Sequence, residues 1–339
     1  MPRIRRRALG ALLVGVLLAA GGCGSAEPSP AAGDDSFSVT IKHAYGETHL
    51  TQKPERVVVV GFKEQDYYLA LGTVPVAIRD WYGDQPSATW PWAQSYLNGA
   101  KPTVLPRAEL DYEQIIGLDP DVIVGMSAGL TKEQYDTLAK IAPTVAQPSS
   151  DDNWAVTWQD MTLKTGQILG KEAEATKLVA DLEGRIKAAG DKYPSLKGAS
   201  SVFASGFEGQ FYVFSPKATG SQVLTSLGLT MSDEVAKLTD NADEYFTISK
   251  ERFDLLDVKV AVWSEAASDP LIKSLLANPL YADKAVHKEG RDVFLGLEAN
   301  GALSFSSVLS LPYLLDKVVP ALATAADGDP ATTSEFSAK

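Results

Sequence analysis

Apolar and polar positions along the chain alternate between two periods, one of strands and one of short helices. Phe37 to Ile41 and Thr48 to Leu50 read as an antiparallel pair around a turn at Tyr45-Gly46. Arg56 to Gly61 reads as a strand whose four consecutive valines, Val57 to Val60, are what a strand buried on both faces should carry. It feeds a helix predicted over Glu64 to Leu71, which Gly72 stops. Strands follow at Val74–Ile78, Thr103–Leu105 and Val122–Val124, then a helix over Thr131–Ile141 that ends before Pro143. From Trp158 to Ala189 the apolar residues recur at helical spacing without a proline. Such a run predicts a rigid strut of roughly 45 Å; the alternative is two ordinary helices meeting near Gly170. Strands return at Ser200–Ala204 and Gln210–Phe214, with helices at Ser221–Leu227, Leu271–Leu276 and Ser306–Ala321 and a strand at Val293–Leu295.

One phrase is written twice. Asp111 to Ser127 and Ser249 to Glu265 each carry a glutamate, a short amphipathic turn, Leu-Asp, and an apolar run that ends at a loop. A helical turn leading into a buried parallel strand is half of a βαβ unit, so two copies predict two lobes of similar build. Proteins of that architecture bind ligands at the carboxyl ends of their strands.

The amino terminus places the protein outside the cytoplasm. Arg3, Arg5, Arg6 and Arg7 precede an apolar stretch from Ala8 to Ala20 that is too short to span a bilayer. Ala20-Gly-Gly-Cys23 is similar to a lipobox, with Ala20 standing where a larger aliphatic residue is usual. The paired arginines keep both the Sec and the Tat export route open. Cys23 is the single cysteine among 339 residues, which excludes an internal disulfide and makes it the expected site of lipid attachment. Gly24 to Ser36 has almost nothing to bury and reads as a tether. No later segment is apolar enough to cross a membrane. The net charge is −12, and loss of the leader's arginines makes it more negative, which argues against nucleic acid or anionic lipid as a partner.

The chain resembles the substrate-binding proteins of siderophore and vitamin B12-type ABC importers. The resemblance rests on Pro54-Glu-Arg-Val-Val58, Leu69-Ala-Leu-Gly72, Glu113 to Ile123, Ile141-Ala-Pro143 and Ala285-Val-His-Lys-Glu-Gly290, in that order and spacing. It implies an α/β fold of two Rossmann-like lobes joined by one long α-helix, with the ligand cleft between them. It also implies no catalysis and delivery of the ligand to an ABC permease dimer, against whose arginines one glutamate of each lobe docks; Glu113 and Glu251 match those positions. The division expected is a signal peptide at 1–22, a tether at 23–36, an N-terminal lobe at 37–157, the inter-lobe helix at 158–190, a C-terminal lobe at 191–325 and a frayed tail at 326–339.

Ligand contacts in such folds lie just past the strands. Arg79, Trp81 and Tyr82 follow one strand and suit a large, partly apolar ligand with polarised oxygens. Trp90 and Trp92 belong either to the same surface or to a loop core. In ferric-hydroxamate members an arginine at the place of Arg107 bonds the chelating oxygens, which a planar guanidinium bridges well; an ion pair with Glu109 or Asp111 is the plainer role. Those members carry a tyrosine where this chain has Leu130. On the second lobe Phe207, Tyr245 and Asn300 are the candidates. His43, His49 and His287 are scattered, so no metal site and no resident cofactor is expected, and iron would arrive already chelated.

The function expected is therefore capture of a ferric siderophore by a lipid-anchored monomer on the outer face of the cytoplasmic membrane. Haem or a corrinoid is the alternative ligand; haem would need an axial group such as Tyr82 or Tyr245. A solute-binding sensor shares every feature. A more distant alternative is a serine hydrolase, because Gly125-Met-Ser-Ala-Gly129 has the form of a nucleophile elbow around Ser127. His287 is the one downstream histidine available to it as a base.

Overall fold

The computed structural model describes residues 37–149, 156–238 and 245–338. The predicted leader, Cys23 and the tether lie outside the described residues.

The first lobe opens with the antiparallel pair β1 (Val39–His43) and β2 (Gly46–Leu50). A parallel sheet follows, made of β3 (Val57–Val59), β4 (Ala77–Arg79), β5 (Thr103–Leu105), β6 (Val122–Gly125) and β7 (Thr144–Ala146), in the order β5-β4-β3-β6-β7. β3 and β6 are buried along their whole length, which is why they read as unbroken apolar runs. β7 was not predicted from the sequence.

The second lobe has β8 (Ser200–Phe207), β9 (Gln210–Phe214), β10 (Thr230–Met231), β11 (Tyr245–Ile248), β12 (Val260–Trp263) and β13 (Asp292–Phe294), with the path β11-β9-β8-β12-β13. β10 pairs with the first residues of β8, ahead of the segment that β9 takes. The repeated phrase therefore occupies one position in both sheets. β6 lies between β3 and β7, and β12 lies between β8 and β13, each preceded by a short helix at Tyr112–Gly117 or Lys250–Leu256. Aspartates at the end of the helical turn sit at structural joints in both copies, Asp121 in the first and Asp257 of the Leu-Asp pair in the second. Asp121 accepts from the backbone N–H groups of Glu55 and Arg56, while Asp257 accepts from that of Val286.

The strut predicted over 158–190 is two helices, Trp158–Leu169 and Glu172–Lys192. Gly170 takes a left-handed conformation at φ +62°, which closes the first helix and turns the chain back. Gly166 fits the two helices together, since a Cβ there would lie 2.4 Å from that of Ala175. The second helix, about 31 Å long, carries the chain from one lobe to the other.

The lobes share one apolar core. It runs from β1 and β3 through Met161, Ile168, Leu182 and Ile186 into Leu314, Val318 and Leu322 of the last helix, Ser310–Asp327. The carboxyl-terminal residues, expected to fray, are held against the second lobe: the Phe294 N–H donates to the carbonyl of Phe336 (2.8 Å), whose ring packs on the core.

Candidate functional site

The two sheets present their carboxyl ends to each other, and a cavity of about 420 Å3 lies between them. From the first lobe Lys63, past β3, and Trp81 and Tyr82, past β4, form one wall. From the second lobe come Phe203 and Ser205 of β8, Phe214 of β9, Thr219 at the start of the helix Thr219–Ser226, and Ser264 and Glu265 just past β12. Asn300 and Ser304, on the helix Gly296–Phe305, close the cavity.

Aromatic rings give the site its shape. Trp81 meets Tyr82 edge-on at 4.7 Å between centroids and lies 5.4 Å from Phe305. Opposite, Phe203 and Phe214 stack at 4.3 Å. Polar groups are set among them. Burial pushes the Tyr82 hydroxyl up to about 12, with Ser304 tempering the shift, so it stays protonated. Asn300 holds a buried Oδ1 with no hydrogen-bond partner among the described residues. Glu265 is fixed from three directions: Oε1 accepts from Ser205 Oγ (2.7 Å) and Ser264 Oγ (2.5 Å), and Oε2 from the Gly206 N–H (2.9 Å).

The first lobe repeats this device with the roles exchanged. Glu64, past β3, accepts at Oε1 from both the backbone N–H (2.5 Å) and Oγ (3.0 Å) of Ser127, past β6. Gly61 makes the approach possible, since a Cβ there would lie 1.8 Å from Glu64 Oε1. Glu64 is fully buried, its Oε2 has no hydrogen-bond partner among the described residues, and burial raises its pKa from 4.5 to about 7 against the opposing bonds from Ser127. Ser127 Oγ is thus taken up by the Glu64 carboxyl group. His287, the base that a hydrolase would need, pairs its Nδ1 with Asp292 in the other lobe (2.7 Å).

Of the residues expected from the sequence, Trp81, Tyr82 and Asn300 come together on the cavity. Arg79 lies beneath the wall. Its guanidinium donates to the carbonyls of Val60 (3.3 Å) and Arg107 (2.9 Å) and lies over the Phe62 ring at 4.3 Å, so it braces the loops. Arg107 is exposed and outside the lining, paired with Asp80 (2.6 Å) and Asp84 (3.0 Å) where Glu109 or Asp111 was expected. Phe207 is 62% exposed at the end of β8. Tyr245 stands at the head of an edge strand, where an irregular loop was expected, and touches the lining residue Phe214 edge-on at 6.1 Å. Trp90 and Trp92 stack at 5.1 Å and fill the seam between lobes against Phe305.

Lys63, Ser264 and Glu265 were not among the expected residues, although each lies just past a strand, as Trp81 does. Phe203 and Phe214 carry no such signal, because an apolar residue inside a strand reads as core. Glu113 and Glu251 are exposed, in the first turns of the short helices before β6 and β12. A bond from Ser249 holds the Glu251 carboxyl below its usual range. Both helices begin at the carboxyl edge of their sheets, so the two glutamates lie on the side that bears the cavity. Among the described residues no three His, Cys, Asp or Glu side chains gather as a metal site, and no helix is long and apolar enough to cross a membrane.

A family model described as periplasmic binding protein matches residues 58–295. The Fe(3+) dicitrate-binding periplasmic protein FecB of Escherichia coli is 27% identical over 204 residues, 59% of this chain and 65% of that protein. The Fe(3+)-citrate-binding protein YfmC of Bacillus subtilis is 25% identical over 84% of this chain and 87% of its own length. Among solved structures, a periplasmic solute binding protein from Mycobacterium smegmatis is 35% identical with a TM-score of 0.77, covering 86% of this chain and all of that one. PiaA of Streptococcus pneumoniae, solved in complex with ferrichrome, is 27% identical with a TM-score of 0.73, over 86% of this chain and 99% of its own.

Proposed function

Because the chain belongs to the periplasmic binding protein family, we propose that it captures a ferric siderophore outside the cytoplasm and hands it to an ABC permease. The observation that carries this reading is the cavity itself, walled by aromatic rings from both lobes and dotted with hydroxyl and amide groups. Such a surface suits a chelate with an apolar skin and polarised oxygens. Trp81, Tyr82 and Asn300 are the residues proposed to touch the ligand first. Iron enters as cargo inside its chelator, with no protein side chain needed as a ligand to it.

Glu113 and Glu251 are proposed to dock on basic groups of the permease. Their support is equivalence: each occupies the same place in the repeated phrase, on the same side as the cavity. Cys23 is proposed to carry the lipid that keeps the protein at the membrane's outer face.

Titration of the leader-free protein by tryptophan fluorescence tests the central reading. Saturable, submicromolar quenching by a ferric siderophore and not by its iron-free form is expected, because Trp81 lies on the cavity wall. Saturation by haem or cobalamin alone would replace the ligand. No response to any of these compounds would remove the binding reading.

A further inference from the structure

Glu265 is an unusual group to find on the wall of a cavity meant for iron chelates. Among the described residues lining that cavity, Lys63 is the one cation and Glu265 the one anion, and no arginine contributes. The two charges are equal and opposite, but Lys63 is only 3% exposed and its charge acts on Glu64, whereas Glu265 is half-buried at the cavity. Lys63 belongs to the first lobe, while Glu265 is held in the second by three hydrogen bonds. A carboxylate offers about four lone-pair sites, and three are taken by Ser205, Ser264 and the Gly206 N–H. Of the groups that line the cavity, the Glu265 carboxylate is the one that repels negative charge.

The exchanged arrangement in the first lobe sharpens the contrast. Glu64 is fully buried and its charge is suppressed by burial, whereas its counterpart Glu265 opens onto the cavity. The molecule's net charge of −12 adds a long-range field of the same sign.

We infer that Glu265 selects the ligand by charge: the cavity takes a neutral or cationic ferric complex, sets its cationic or N–H-bearing part against Glu265, and disfavours polyanionic complexes. This deepens the function proposed above and rests on it. It also separates this chain from the two relatives named for ferric citrate, since a citrate complex would bring several carboxylates to a cavity that holds one already. Selection of this kind acts through the unfavourable contact with the wrong ligand as much as through the good one with the right ligand.

Three ferric probes test it on the leader-free protein: ferrioxamine B, a trihydroxamate with a free ammonium; ferrichrome, a neutral trihydroxamate; and ferric dicitrate, a polyanion. The wild-type protein is expected to prefer ferrioxamine B over ferric dicitrate by at least about a hundredfold. Glu265→Gln is expected to weaken ferrioxamine B by about tenfold, or 1.4 kcal/mol, to strengthen ferric dicitrate, and to change ferrichrome less than either. The neutral probe thus reports that the cavity is intact, and Glu265→Asp, which keeps the charge, should retain the wild-type order. Equal affinity of the wild-type protein for the cationic and anionic probes, or a parallel loss of all three in Glu265→Gln, would overturn the inference while leaving siderophore capture standing. Failure of all three to bind the wild-type protein would overturn both.

Discussion

At the scale of single residues, the buried acids beside the cavity set a pH dependence whose sign can be worked out. Burial raises Glu64 from 4.5 to about 7 and Asp66 from 3.8 to about 6, although Ser307 and Trp92 both donate to Asp66. In the unfolded chain both groups ionise at their ordinary values. Folding therefore opposes their ionisation, and the stability in question is whole below pH 4 and lost as pH rises through 6 and 7. For Glu64 the loss is roughly 3 kcal/mol. Glu64→Gln removes it while keeping an acceptor for Ser127. Urea unfolding at pH 5 and pH 8 should show the variant gaining on the wild-type protein at the higher pH; parallel profiles would mean that Glu64 ionises freely in the fold. Arg79 and Arg107 teach a second lesson at this scale. Both were attractive as ligand groups because a guanidinium binds oxygens well, yet nearby carbonyls and carboxylates take them up. Spacing along a chain does not reveal which acceptor lies closest in space.

At the scale of elements, two glycines of the connecting helices should respond in opposite ways to the same change. Gly170 has a left-handed backbone, and a Cβ there would lie 2.9 Å from the Lys53 side chain and 3.0 Å from the Phe37 ring. Gly184 lies inside the helix Glu172–Lys192 with open space around its Cα. Gly170→Ala should cost about 1–2 kcal/mol, and Gly184→Ala should add up to about 1 kcal/mol, both read as shifts in the urea midpoint. Equal shifts would mean that the chain passes Gly170 without reversing. The helix break at Gly170 was visible in the sequence as an alternative, because periodicity continues on both sides of the turn and glycine is also tolerated within helices. β7 and β11 were illegible for another reason. Each is short, and β11 is a strand through its antiparallel pairing with β9, a long-range contact that local propensity does not encode.

At the scale of the whole molecule, the lobes behave as parts of one body. The shared core passes through the connecting helices, and Asp66, Trp90 and Trp92 of the first lobe meet Ser307, Phe305 and Gly301 of the second. A Cβ on Gly301 would lie 2.7 Å from the Trp90 ring, so the seam leaves little slack. Interfaces this apolar restrain relative motion. Glu113→Ala with Glu251→Ala should leave ligand affinity unchanged and abolish uptake of the iron complex by cells. Cys23→Ser should lose membrane attachment with affinity equally intact. Weaker binding in the glutamate pair would place those residues at the ligand instead.

Local sequence was enough to read the class of fold, the repeated helix–strand phrase and the loops from which a ligand would be met. Each of these is written in local periodicity, in a short motif, or in a residue that directly follows a strand. Trp81 and Tyr82 were legible for that reason, and Lys63 and Glu265 obey the same rule. Which of the polar groups remain available is set by long-range packing. It turned Arg79 inward, paired Arg107 with Asp80 and Asp84, buried Glu64 against Ser127 and left Glu265 open to the cavity. Those outcomes depend on distances between residues that are far apart in the chain, where burial and the nearest opposite charge outweigh any preference of the side chain itself.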